Sequence, residues 1–274
     1  MRIYALSVYA FLYAPIALIV LFSFNSGRHA SDFQGFSVQW YGKAFGNPFA
    51  IDALQTSLII ALSSAVLSTV VGTLAALGLQ RVRGVLREVF DALIYVAIMI
   101  PGVVIGIATL VAFATLFDLV NPVLARWSGA PPLQLGYTSV IAAHTLFTMA
   151  LVIVVVRARI AGMDRSLIEA SEDLYATPFG TFRQVVLPQI FPAVLAGFLL
   201  AFTFSFDDFI IAFFVAGPNT TLPIYVFSSI RRGVTPEINA IGTVILTVSL
   251  TLLVVAQLLL QRERGRRRLP PGGA

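Results

Sequence analysis

The sequence has no cysteine and only two histidines, His29 and His144. Without thiols there is no disulfide framework, no thiolate metal site and no cysteine nucleophile. Two histidines are too few for a histidine metal cluster, so no metal site is expected. Charge is scarce as well: 11% of the 274 residues are charged, where a soluble domain carries about 25%. With 58% hydrophobic residues and a mean hydropathy of +0.90, too little polar surface remains to cover one or two water-soluble domains of this length. Such composition is also the reverse of disorder. The single lysine, Lys43, stands between Gly42 and Ala44, so there is no G-x-x-x-x-G-K-[ST] phosphate loop, and the chain is not itself an ATPase of that kind. There is no G-x-S-x-G elbow, no H-E-x-x-H pair and no internal repeat.

What is present is a series of long runs almost free of charge. They predict an all-α integral membrane protein, one transmembrane domain over 1–274. Its six helices fall at about 5–25, 54–80, 91–117, 135–157, 187–215 and 238–261. Each supplies the roughly 20 apolar residues needed to cross a bilayer, and the alternation of a membrane barrel is absent. Residues 209–230 are uncharged too. Gly217, Pro218, Asn219 and Pro223 punctuate them, so they read as the outer end of the fifth span plus a loop. The first span is longer than the apolar core of a signal peptide and reads as a retained helix.

The net charge of +5 follows from topology rather than from nucleic-acid binding. Six spans with both termini inside put Arg2, Arg81, Arg83, Arg87, Arg157, Arg159, Arg165, Arg183 and the five arginines of the tail, 262–274, on the cytoplasmic side. Arg28, Lys43, Arg126, Arg231 and Arg232 remain outside, a distribution that obeys the positive-inside rule. Trp40 and Trp127 fall near outer span ends, as in an interfacial aromatic belt. Residues 269–274 form a Pro/Gly tail expected to be disordered.

The inner loop between the fourth and fifth spans, 163–188, is too patterned for a linker. It opens MDRSLIEASEDLYATPFGTFRQVVLP. Ser166 and Glu169 have the spacing of a capping box, with Asp164 a rival N-cap. Leu167, Ala170 and Leu174 give one apolar face. Thr177 followed by Pro178 starts a second helix, with Phe179, Phe182, Val185 and Val186 on its apolar side. An amphipathic helix resting on lipid and a docking surface for a cytoplasmic partner both fit this pattern.

Glu169-Ala170-Ser171, Asp173-Leu174 and Leu187-Pro188 resemble the EAA loop of ABC importer permeases. The loop's place, before the penultimate span, matches as well. The chain departs from that pattern at Tyr175, where the family has glycine; Gly180 lies close by. YAPIALIVLFSFN and FSVQWYGKAF near the start, and SFDDFIIAFFVAGPNTTLPIYVFSSIRRGVTPEINAIGTVI later, are similar to the second permease subunit of spermidine/putrescine importers. The resemblance implies the type I importer permease fold in a bacterial cytoplasmic (inner) membrane, surrounded by lipid. It implies a second permease subunit, two ATP-binding cassette subunits seated on the loop, and a periplasmic substrate-binding protein. ATP and Mg²⁺ would be used by those partners, with no cofactor on this chain.

Asp207 and Asp208 are the acids of an otherwise apolar run. Carboxylates are costly in a bilayer and face a bundle interior or aqueous cavity. An unpaired one would attract a cationic solute. Adjacent helical residues point about 100° apart, so one of the two is expected to face the path. Phe202, Phe206, Phe209 and Phe213 recur at helical spacing beside them. These rings suit ammonium binding or helix packing alike. His144 is expected to hydrogen-bond between helices. Arg231, Arg232 and Glu237 lie in the outer loops, where the binding protein would dock. Rival readings are the same fold carrying an opine, an aminophosphonate or ferric iron, a secondary transporter or channel, and a membrane-embedded enzyme. For the last, two acids and a histidine are too small a constellation.

Overall fold

The computed structural model describes residues 1–28, 32–127, 129, 131–233, 235–248 and 250–251. The helices are α1 (Arg2–Ser23), α2 (Gln39–Gly46), α3 (Pro48–Gly78), α4 (Val85–Met99), α5 (Gly102–Trp127), α6 (Tyr137–Ala161), α7 (Ser166–Asp173), α8 (Pro178–Thr181), α9 (Leu187–Asp207), α10 (Ile210–Val215), α11 (Leu222–Arg232) and α12 (Pro236–Val248). A five-residue π turn, Phe182–Val186, joins α8 to α9. Among the described residues the only strand-like pairing is an isolated bridge between Asn25 and Phe36. Among the described residues, five helical stretches are long and apolar enough to cross a bilayer: Tyr4–Ser23, α3, α5, α6 and Pro178–Asp207. α12 is apolar but shorter. The end of the expected sixth span and the tail, 262–274, lie outside the described residues.

The chain divides into two compact units, residues 1–51 with 226–274, and residues 52–225. In the first, α1 is apolar around its whole circumference and buries none of its spanning window. Such a helix is at home only in lipid or against other helices. The loop after it is organised by Asn25, which is fully buried. Its Oδ1 accepts the amides of Gly27 and Gln34, and its Nδ2 donates to the Asp32 carbonyl. Trp40 departs from the expected belt: it is buried, with Lys43 Nζ 4.0 Å over its ring. Trp127 is exposed.

In the second unit α6 is the central helix, half of its spanning window being buried. Small residues let its neighbours approach. Val152 of α6 sits between Gly72 of α3 and Gly197 of α9, where an added Cβ would stand 3.0 Å and 3.3 Å from the valine side chain. Lipid is as apolar as leucine, so close packing and interhelical hydrogen bonds hold such a bundle. Here they are Ser68 Oγ to Thr148 Oγ1 at 2.6 Å and Ser64 Oγ to the Ile141 carbonyl at 3.3 Å. Each contributes about 0.6 kcal/mol.

Three expected boundaries differ. The run 91–117 is split, because Pro101 forces Ile100 into an extended conformation (ψ 131°) and ends α4 at Met99. The spanning helix is α5, which runs on to Trp127. The run 187–215 is broken at Asp208, also extended (ψ 120°). α10 then turns back onto α5, with Phe214 against Gly106. Part of the expected outer loop is helical, as α11. Before it, Gly217 adopts φ +56° beneath the Leu135 carbonyl.

Candidate translocation and coupling sites

Asp208 occupies the break between α9 and α10. Its Oδ2 accepts the Ala212 amide at 3.0 Å, in the first turn of α10. The same oxygen lies 3.3 Å from Nε2 of His144, whose ring is buried in α6. That approach is close enough for charge pairing but out of line for a hydrogen bond. The other ring nitrogen, Nδ1, is 2.7 Å from Ser205 Oγ on α9. With Ser205 as donor to Nδ1, the ring proton sits on Nε2, the side that Asp208 flanks. Asp208 is thereby held by the Ala212 amide, with the imidazole beside it. His144 joins α6 to α9, as its position in the fourth span suggested.

Asp207 differs in every respect. It is the last residue of α9, it is exposed, and among the described residues no hydrogen bond or ion pair reaches it. A helix C-terminus carries partial negative charge, and no basic residue occupies the last turn of α9 to offset it. This carboxylate is left in want of a cation. The phenylalanines form two separate pairs rather than one ladder. Phe202 stacks on Phe206 with centroids 5.8 Å apart, and Phe209 meets Phe213 at 5.5 Å beyond the break.

At the opposite end of α9 the inner loop is two helices and a tight turn. The expected capping box is not formed. Ser166 is the first helical residue, and its amide donates to Asp164 Oδ1 at 2.9 Å. Hydrogen bonding from Ser166, through its side chain and then its amide, holds the Asp164 carboxyl below the usual carboxylate range. α7 ends in a Schellman motif: the Ala176 amide donates to the Ser171 carbonyl (3.0 Å) and the Tyr175 amide to that of Glu172 (2.9 Å). Tyr175 occupies the left-handed position with φ +59°. The turn that glycine makes freely is made here by tyrosine at a steric cost.

Thr177 caps α8 as expected, its Oγ1 accepting the Gly180 amide at 3.2 Å. Ser171 Oγ meets Thr181 Oγ1 at 2.8 Å and ties α7 to α8. α7 buries no residue. Glu169, Ala170, Asp173, Leu174, Tyr175 and Phe179 are exposed on this knuckle. Leu187 and Pro188 open α9 without interrupting the helical stretch: they follow directly on the π turn, whose widened coil lies next to the donor that Pro188 lacks.

A family model described as binding-protein-dependent transport system inner membrane component matches residues 68–266. The chain belongs to that family. It is an ABC importer permease, a translocation subunit rather than an enzyme. The permease is 36% identical to the spermidine/putrescine transport system permease protein PotC of Escherichia coli K12, over 92% of this chain and 90% of that one. It is 39% identical to the putrescine transport system permease protein PotI of the same strain, over 95% and 90%. In fold it matches a bacterial alginate ABC transporter solved with its alginate-bound periplasmic protein (TM-score 0.72, 17% identity, 95% of this chain and 93% of that one). It also matches an amino acid ABC transporter (TM-score 0.57, 18% identity, 83% and 100%).

The remaining expected site residues of the permease lie in the first unit or at its edge. Arg231 and Arg232 are exposed in the last turn of α11, where they complement the helix dipole. Glu237 is half-buried at the start of α12 and accepts a hydrogen bond from Asn47 Nδ2 at 2.7 Å. Its carboxylate therefore has a structural role of its own. Sequence reasoning did not anticipate Ser205 as the partner of His144, or the Ala212 amide as the partner of Asp208. An acid just before an apolar run is a cap signal, and the Asp-Asp doublet carried it.

Proposed function

We propose that this permease passes polyamines across a bacterial inner membrane, working with a second permease subunit, two ATP-hydrolysing subunits and a periplasmic binding protein. The observation that carries the cargo assignment is Asp207, an exposed, unpaired carboxylate at the end of an apolar span, in a chain whose relatives are named for spermidine and putrescine. The positive-inside rule sets the arginine-rich end, with α7 and α8, in the cytoplasm. The Asp207 end then faces the periplasm, where the binding protein would release its cargo; Arg231 and Arg232 would contact that protein. α7 and α8 would seat on an ATP-hydrolysing subunit, so that closure of the ATP site moves the end of α9. Asp207 would draw an ammonium group into the path, and Phe206 would lend a ring face to it. A single carboxylate binds weakly enough to let go, as conduction needs. ATP itself would be bound by the partner subunits.

The test is ATP hydrolysis by the complete complex in liposomes with its binding protein, challenged with spermidine, putrescine and a panel of non-amines. Stimulation by polyamines alone is expected. Stimulation by another solute would keep the importer and discard the polyamine. Failure to associate with any ATP-hydrolysing subunit would overturn the coupling role of α7 and α8.

A further inference from the structure

A cavity of the second unit lies far along α9 from Asp207, beside the inner loop, and has a volume of about 910 Å³. Leu77, Ile94, Tyr95 and Val154, from three different helices, give it an apolar wall. Arg81, Arg87, Arg157 and Arg165 line it as well, against a single acid, Glu172. Arg157 and Arg87 share the carboxylate of Asp91. Arg81 and Arg165 have no acidic partner among the described residues. Even with Asp91 and Glu172 counted, the cleft keeps a surplus of positive charge, and its charged and apolar linings meet where membrane helices end.

That combination discriminates between anions. A free phosphate would use the guanidinium groups but leave the apolar wall in water. A phosphodiester attached to acyl chains satisfies both, because guanidinium forks match phosphate oxygens and basic pockets between membrane helices on the cytoplasmic side suit acidic headgroups. We propose that the cleft binds the headgroup of an anionic phospholipid, with an acyl chain along the Ile94–Tyr95 wall. The proposal rests on the reading that the arginine-rich end faces the inner leaflet. Coupling-loop residues Ile168 and Thr181 also line the cleft, so the lipid would brace α7 and α8 against the spans from within.

The test uses the assembled complex in neutral detergent, examined by native mass spectrometry after adding short-chain phosphatidylglycerol, phosphatidylcholine or inorganic phosphate. Retention of phosphatidylglycerol and not of phosphatidylcholine is expected. Arg81→Gln with Arg165→Gln should weaken retention about thirtyfold, and the paired lysine substitutions should keep most of it. Equal retention of the two lipids, or no loss in the glutamine variant, would overturn the proposal. Displacement of the lipid by millimolar phosphate would reassign the cleft to a soluble anion. If the double variant does not assemble, Arg81→Gln alone carries the test, since Arg81 lies in the turn after α3 and outside the coupling loop. Binding is read without transport, so a wrong cargo assignment leaves this result intact. The ATPase subunits present in the same spectra report separately on the coupling reading.

Discussion

His144 Nε2 and Asp208 Oδ2 stand 3.3 Å apart across the boundary between α6 and the break that ends α9. One acid of the doublet is thus part of the scaffold, while its neighbour is free to act. Asp208→Ala would strand the Ala212 amide and take the carboxylate away from a buried imidazole. A stability loss of about 2–4 kcal/mol is expected. Thermal denaturation of the purified complex measures it. Asp207→Ala should leave the same curve unmoved, and a matching drop in both variants would contradict the division of labour.

Asp207→Asn should raise the KM for polyamine uptake about tenfold without loss of assembly, the size expected of one partly solvated charge pair. The difference from wild type should shrink at high salt, because exposed charges are screened. Uptake into proteoliposomes at two ionic strengths decides the matter. A kinetic profile identical to wild type would remove Asp207 from the path.

Tyr175→Gly should relieve the left-handed strain and stabilise the end of α7 by about 1 kcal/mol. Slower hydrogen exchange at the Tyr175 and Ala176 amides would report it. Tyr175 is also among the most exposed side chains of the knuckle. Weaker co-purification of the ATP-hydrolysing subunit in the same variant would mark the phenol as part of the docking contact. Glu169→Ala should weaken that association while leaving membrane insertion intact. Unchanged association and uptake would end its assignment to coupling.

Gly217→Ala should be among the most damaging single changes in the chain, costing about 2 kcal/mol or more. The added Cβ would run into the Leu135 carbonyl, and φ +56° is a conformation that alanine resists. Gly72→Ala, pressed against Val152, should cost about 1–3 kcal/mol by overpacking. Expression level and thermal inactivation of the two variants check both values.

The long apolar helices among the described residues were legible in the sequence because lipid imposes one demand over twenty residues at a time, and scattered local preferences cannot mask it. Pro101 also announced its break, although hydropathy alone ran through it. The break at Asp208 has neither glycine nor proline, only the weak cap signal of an acid before an apolar run. It exists because His144, far earlier in sequence on α6, and the Ala212 amide, four residues later on α10, claim the side chains around it. The inner loop was legible as helix, turn, helix from Thr177 and Pro178. Its first cap went to Asp164 instead of Ser166, a choice between adjacent hydrogen-bond donors and acceptors that spacing does not decide. Nor did the Tyr175 departure abolish the turn: two amide bonds of the Schellman motif outweigh the strain of one side chain.

The π turn at Phe182–Val186 makes the stretch from Pro178 to Asp207 a rod about 45 Å long at 1.5 Å per residue, with one wide collar near its base. Between the collar and Asp207 the helix is continuous, with Pro192 its one missing backbone donor past the first turn, so a push at the base arrives at the tip as translation or twist. One residue of slack is stored in the collar. If it tightened to α pitch, everything beyond would swivel by about 100°. Deleting Val185 would remove the slack and leave everything beyond it in its present phase, so the collar could no longer supply the swivel. The expected result is a complex that still grips its motor subunit and no longer moves its cargo.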